Sequence, residues 1–404
     1  MTINRWIITT CFWGLVSVLS TTVSLAQSRS AANKPAPLVI GESLTLHSGI
    51  LGEDRSILIY KPAGYAESTA SYPVLYLLDG HAHLFHVGGL VNYMATLGRM
   101  PKLLIVGIAN TDRGRDMTPK PQQGIDKDFP SGGGATEFLA FINQEVKPFI
   151  NSHFRTEPYE IVAGTSLSGL FAVNTFLTQP ALFNAYIAVS PALWWDKQAV
   201  PLLAQTALQK PIRKPTFFFV TLCPDDSPVL QQSTRRIHDL LARRTSDSLT
   251  WAYRFIPDET HNSVVHLGLY TALKALYKDW QPPQIDNLVS LETHYRRLSI
   301  HYGYPITVPE EQFNSLGYQL LFSGKADAAI AVFVRNTLRF PDSSNAHDSL
   351  GDAYKVAGKL SLAKGSYGKA CKLGKEANSP NLSAYQNNLE QVNKLIAQRA
   401  TDKK

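Results

Sequence analysis

Tyr159-Glu160-Ile161-Val162-Ala163-Gly164-Thr165-Ser166-Leu167-Ser168-Gly169-Leu170 is the stretch that decides the fold of this chain. A β-branched and apolar run stops at a glycine, and an apolar pattern of helical spacing resumes at Leu167. Strand, sharp turn and helix thus follow one another with Ser166 at the apex. So tight a turn strains the apical backbone, and the positions two residues to either side must be small. Gly164 and Ser168 meet that demand. A serine held this way is a candidate nucleophile; as the N-cap of an ordinary helix it would do nothing chemical. The strand before it and the helix after it favour the first reading. Ser168 fills the place of the second glycine in G-x-S-x-G, so Ser166 is assigned as the nucleophile.

Working outward, residues 38–280 alternate short apolar runs with helical stretches. Expected strands are Ser56–Tyr60, Val74–Leu78, Leu103–Ile108, Tyr159–Ala163, Ala185–Ser190, Thr216–Val220 and Trp251–Ile256. Runs such as Leu-Leu-Ile-Val-Gly-Ile and Thr-Phe-Phe-Phe-Val suit strands buried on both faces. Helices are expected over Thr136–Phe149, Gly169–Leu177, Ser227–Ala242 and Ser263–Leu276. This alternation predicts an α/β domain with a doubly wound, mainly parallel sheet.

A serine hydroxyl needs a base to take its proton, and hydrolases built on such an elbow carry the acid and then the histidine downstream. The last expected strand ends in Pro257-Asp258-Glu259-Thr260-His261, which puts His261 where the base belongs; His266, a turn into the next helix, is set aside. The preceding strand runs into Thr221-Leu222-Cys223-Pro224-Asp225-Asp226. Asp225 is taken as the acid that orients His261, with Asp226 in reserve, since the other aspartate would cap the following helix. Donors to the developing oxyanion are expected from the backbone N–H of Leu167 and from that of Gly80 or His81, in Asp79-Gly80-His81-Ala82-His83. His81, His83 and His86 have spacing seen in metal sites, but no carboxylate motif accompanies them, and no metal or other cofactor is expected.

These residues, taken with others, resemble the putative esterase family, which includes siderophore esterases, S-formylglutathione hydrolases and feruloyl and acetylxylan esterases. The matching pieces are Leu51-Gly52-Glu53-Asp54-Arg55, Tyr72–Gly80, Val106–Asn110 with Arg113-Gly114-Arg115-Asp116, Glu145–Ile150, the elbow, and Ser190-Pro191-Ala192-Leu193-Trp194-Trp195-Asp196. Thr165 and Ser168 stand where the family often has histidine and glycine. The resemblance implies an α/β-hydrolase fold and cleavage of a small-molecule ester, a siderophore lactone among the substrates. In the siderophore-esterase branch the Trp194–Trp195 loop borders the pocket, and tetratricopeptide-like tails occur. An acyltransferase would share the same apparatus. A non-catalytic binding protein would use the tail alone, although Ser166, His261 and both aspartates are present.

The tail has its own signature. Leu316-Gly317 recurs as Leu350-Gly351, Gly324-Lys325 as Gly358-Lys359, Ala329 as Ala363 and Phe333 as Tyr367. A 34-residue period of this kind resembles paired antiparallel tetratricopeptide helices. Two units and a final helix over Ser383–Gln398 are too few to stand alone, so the tail should pack on the hydrolase, and it offers a surface for a protein partner. The expected organisation is a signal peptide over 1–26, a hydrolase domain over 38–281, a connector over 282–309 and helical repeats over 310–400. Arg5 followed by an apolar run from Trp6 to Leu25 and Ser24-Leu25-Ala26 predicts export to the periplasm or medium, with no stable membrane anchor after cleavage.

Charge excludes one class. The chain of 404 residues carries a formal +7, of which residues 310–404 hold four and Arg5 one, leaving +2 on residues 27–309. A nearly balanced domain has no electrostatic footprint for nucleic acid. Beyond the leader only Cys223 and Cys371 remain, far apart, which excludes a disulfide framework.

Overall fold

The computed structural model describes residues 38–401 apart from 125 and 245–247. The expected signal peptide therefore lies outside the described residues. Among those described, no helix is long and apolar enough to cross a membrane.

The first elements build one side of an eight-stranded sheet: β1 (Glu42–Ser48), β2 (Glu53–Tyr60), β3 (Tyr72–Leu77), α1 (Gly80–Thr96), β4 (Leu104–Ile108) and α2 (Arg113–Met117). The expected helix after residue 135 is broken into α3 (Ala135–Phe141), a π-helical turn over Ile142–Val146, and α4 (Lys147–His153). Then come β5 (Thr156–Thr165), α5 (Leu167–Thr178), β6 (Ala185–Val189), α6 (Trp195–Ala207), β7 (Thr216–Leu222), α7 (Pro228–Ala242), β8 (Leu249–Phe255) and α8 (Val264–Leu276). The strand order is β1-β2-β4-β3-β5-β6-β7-β8. From β4 to β8 every pairing is parallel, while β1 and β2 are antiparallel additions at one edge.

The central strands β3 to β7 are buried almost throughout, because helices cover both faces, and this is why they read as unbroken apolar runs. In such a sheet the open crevice lies beyond the carboxyl ends of the strands. Five consecutive strand ends are followed there by candidate site residues: Asp79 after β3, Ser166 after β5, Ser190 after β6, Asp226 after β7 and His261 after β8.

The remaining chain is helical: α9 (Leu288–Tyr302), α10 (Glu310–Phe322), α11 (Ala326–Arg339), α12 (Ser344–Val356), α13 (Leu360–Glu376) and α14 (Leu382–Thr401). Gly317 on α10 lies against the Phe333 ring of α11, and Gly351 on α12 meets the Tyr367 ring of α13 in the same way. The 34-residue spacing thus appears as a repeated glycine–aromatic contact. The cluster under the sheet, which includes Leu273, Leu276 and Tyr277, runs without a break through Leu291, Tyr295 and Leu298 of α9 to Phe313, Leu316 and Phe333.

Candidate active site

Ser166 has φ 55° and ψ −116°, a conformation that non-glycine residues rarely adopt and that costs about 1–3 kcal/mol. Hydrogen bonds hold it there: its N–H donates to Val189 O at 3.1 Å, and its carbonyl accepts from Leu170 N at 2.8 Å and Ala192 N at 2.9 Å. Gly164 is required because a Cβ at that position would sit 2.4 Å from the Ser168 carbonyl oxygen. Leu167 begins α5, and its N–H is one of those that helix geometry leaves without an internal partner.

Ser166 and His261 border one cleft of about 420 Å³, with Asp79, His81, Ala82, His83, Asn110 and Arg113 around them. On the neighbouring strand end, Gly80 opens α1 against β4; a Cβ there would lie 2.6 Å from the Gly107 carbonyl carbon. The Gly80 and His81 backbone is thereby brought up to the cleft.

The partner of His261 is Asp226 and not Asp225. His261 Nδ1 donates to Asp226 Oδ1 at 2.6 Å, while Asp226 Oδ2 accepts from Ser190 Oγ and from the Cys223 N–H, both at 2.9 Å. Burial by itself would raise the Asp226 carboxyl; the hydrogen bonds from His261, Cys223 and Ser190 outweigh it and hold the group below the usual aspartate range. Asp225 is exposed and accepts the His261 backbone N–H at 3.0 Å, so it fixes the loop and leaves the imidazole alone. With its proton kept on Nδ1, His261 has Nε2 left as an acceptor.

Trp194 and Trp195, expected at the pocket wall, are not among the residues that line this cleft. Trp195 is 1% exposed, and its Nε1 donates to Pro119 O at 3.0 Å. Trp194 is half-buried against Phe129. Their contacts hold Pro119 and Phe129 against the start of α6. His266, set aside on sequence, joins a chain of imidazoles in which His83 Nδ1 meets His86 Nε2 at 3.0 Å and His86 Nδ1 meets His266 Nδ1 at 3.1 Å. His86 has a neighbour on each ring nitrogen, so the three rings do not converge on one point, and no metal-binding group of three or more His, Cys, Asp or Glu is found among the described residues.

Sequence reasoning also passed over Asp79 as a side chain. Its carboxylate, 5% exposed, accepts from Asn110 Nδ2 at 2.6 Å, from Arg113 Nε at 2.7 Å and Nη2 at 2.9 Å, and from Ser168 Oγ at 2.6 Å. Burial pushes this carboxyl up, and the Arg113, Ser168 and Asn110 hydrogen bonds bring it net below its ordinary value. Behind it, Arg55, wholly buried, meets Asp116 at 2.6 Å and Glu53 at 2.8 Å, which ties α2 to β2.

The sequence profile of the putative esterase family matches residues 48–266, more than half of the chain and every residue of this cleft. The chain belongs to that family. It is 32% identical over 161 residues to the ferri-bacillibactin esterase BesA of Bacillus subtilis, a match covering 35% of this chain and 54% of that protein. With the siderophore triacetylfusarinine C esterase of Aspergillus fumigatus it shares 28% identity over 188 residues, 41% of this chain and 60% of the relative. The chain thus spans about half the length of these curated relatives. Among solved structures, an IroE-like serine hydrolase from Shewanella oneidensis superposes with a TM-score of 0.66 at 28% identity, covering 74% of this chain and 99% of its own. An uncharacterised protein from Capnocytophaga ochracea shares the fold at 18% identity and a TM-score of 0.64, over 86% of this chain, more than the sheet and its helices occupy.

Proposed function

We propose that this esterase-family member is a carboxylic ester hydrolase that works through an acyl-enzyme on Ser166. The observation that carries the reading is the pairing of a strained serine apex with a histidine whose Nδ1 is held by a dry, triply hydrogen-bonded carboxylate. Ser166 Oγ attacks the ester carbonyl as its proton passes to His261 Nε2. The N–H groups of Leu167 and of Gly80 or His81 face the oxyanion, each such donor being worth about 10²–10³ in rate. Collapse of the tetrahedral species breaks the ester C–O bond, and His261 returns the proton to the leaving alcohol. Water then attacks the acyl-serine, gives a proton to His261, and releases the acid and free Ser166. Asp226, in the role first given to Asp225, orients the imidazole and stabilises its charged form throughout.

The relatives named as siderophore esterases favour a siderophore lactone as substrate, and the polar lining contributed by Asn110, Arg113, His81 and His83 suits an oxygen-rich ester. We read residues 310–400 as a tetratricopeptide-like module open to a protein partner, and residues 1–26 as a leader that directs export.

A fluorophosphonate probe tests the mechanism. It should label Ser166, and Ser166→Ala should abolish labelling and lower kcat on p-nitrophenyl acetate by about 10⁵-fold or more. Label found on Ser168, or activity retained by the variant, overturns the assignment. Turnover of a catecholate trilactone in preference to p-nitrophenyl acetate would support the substrate class.

A further inference from the structure

We propose that Ser168 and Asp79 form a strut that couples the nucleophile turn to the loop bearing the oxyanion N–H groups, so that both are positioning residues for the reaction. The inference rests on Ser166 being the nucleophile and goes on to say what fixes its place relative to Gly80.

Asp79 has φ 53° and ψ 41°, and this left-handed turn sends the chain from β3 straight into α1. The residue that sets the direction of the Gly80 and His81 N–H groups is therefore the same residue whose carboxylate reaches the elbow. Ser168 is wholly buried on the first turn of α5, and its Oγ lies 2.6 Å from Asp79 Oδ2, 2.7 Å from Thr165 N and 2.9 Å from Thr165 O. One hydroxyl hydrogen cannot serve both acceptors. The carboxylate is nearer and charged, so the hydroxyl donates to Asp79 and accepts from the Thr165 N–H. Arg113 Nη2, which donates to the same Asp79 Oδ2 at 2.9 Å, also reaches Thr165 O at 3.2 Å. Thr165 immediately precedes Ser166, so both of its backbone polar groups are held from the Asp79 side.

β3 and β5 are paired up to Leu78 N–H on Ala163 O, and beyond those strand ends the strut and Arg113 are the side-chain links between the Asp79 turn and the elbow. Asp79 and Ser168 are 89 residues apart in sequence. A glycine at 168 would satisfy the small-residue demand of the turn equally well, but it would supply neither the donor to Asp79 nor the acceptor for Thr165. The serine thus contributes something that the turn geometry alone does not ask for. Its removal frees the two walls of the cleft to shift against each other, and a misplacement on the order of 1 Å costs about 10²-fold in rate.

The test compares Ser168→Ala, Ser168→Gly, Asp79→Asn and the double variant Ser168→Ala/Asp79→Asn in the full chain. Active sites are titrated with the fluorophosphonate probe, so that loss of folded enzyme is divided out. Expected for Ser168→Ala is a fall in kcat per titrated site of about 10–100-fold, with KM for p-nitrophenyl acetate moving less than about threefold. Ser168→Gly should match it, because the hydroxyl is what both lose. The double variant should be no worse than Asp79→Asn alone, since the two groups act through one bond. Retention of kcat per site within twofold in Ser168→Ala, or fully additive losses in the double variant, overturns the strut. Should Asp79→Asn fail to fold, the two Ser168 variants still decide. Labelling that persists at Ser166 while Ser168→Ala is unaffected rejects the strut alone; labelling elsewhere rejects the nucleophile assignment beneath it.

Discussion

Asp225 and Asp226 occupy successive positions on one turn, yet one is exposed and the other buried. Asp226 is 3% exposed and collects three hydrogen bonds, whereas Asp225 lies in solvent and touches only the His261 N–H. An amide at 226 would offer its NH₂ where the imidazole N–H must donate, which favours the wrong tautomer. Asp226→Asn should therefore lower kcat by about 10⁴, and Asp225→Asn by less than about tenfold. Steady-state kinetics on p-nitrophenyl acetate check the ranking, and the reverse order would return the role to Asp225. Sequence brought the reading to this turn but not to the residue, because a slip of one place on a loop exchanges inside for outside. Ser190, the Asp79 side chain and the bond made by the Ser168 hydroxyl were missed for a different reason: a buried serine or aspartate shows its importance only through partners that are distant in sequence.

Helices α1 and α8 both begin next to the chemistry, one at Gly80 and the other three residues after His261, and the His83–His86–His266 chain joins them. Burial, then the neighbouring His83 and His266, push His86 down to about 4 from the ordinary histidine value of 6.5. Burial lowers His83 as well, with Asp79 opposing the shift and Arg113 adding to it. The unfolded chain then takes up protons that the folded one refuses. The contribution to stability is complete above about pH 6.5 and is lost as pH falls towards 4. Asp79 and Asp226, held below their ordinary range, act with the same sign but only at still lower pH. Melting temperature should accordingly decline between pH 6.5 and 4, and His86→Gln should flatten that decline. An unchanged slope in the variant would remove the histidine chain as its cause. At this scale the sequence was most legible where burial is symmetrical: β4 and β7, sealed on both faces, stand out as apolar runs. It was least legible at β1, an edge strand whose residues are mostly exposed and whose partner is β2 alone. Nor could composition reveal the π-helical turn that splits the expected helix before Pro148.

Across the whole molecule, the helical tail and the sheet share apolar surface through α9. Tyr302 lies at the centre of that contact: its ring centroid is 5.1 Å from that of Tyr159 on β5, 5.4 Å from Tyr277 and 5.6 Å from Trp280, and its hydroxyl donates to Leu276 O at 3.1 Å. Leu291, Tyr295 and Leu298 extend the same face, each 5% exposed or less. A chain ending at Trp280 would leave Tyr159, Leu276 and Tyr277 without their cover, at about 25 cal/mol for every Å² of apolar surface returned to water. A chain ending at Phe340 keeps α9 to α11 and should uncover mainly the faces that α11 presents to α12. The first truncation should therefore lower melting temperature and solubility more than the second. The cleft is lined by residues no later than Val265, so kcat per titrated active site on p-nitrophenyl acetate should survive both cuts. Thermal melts and active-site titration of the two truncations against the full chain test this directly. Equal stability of all three would mean that the aromatic contact around Tyr302 contributes nothing, and the surface of α9 would then have to be explained by some other partner. A loss of kcat per site in the Trp280 truncation alone would instead show that the tail props β5, the strand that carries Tyr159 at its start and delivers Ser166 at its end.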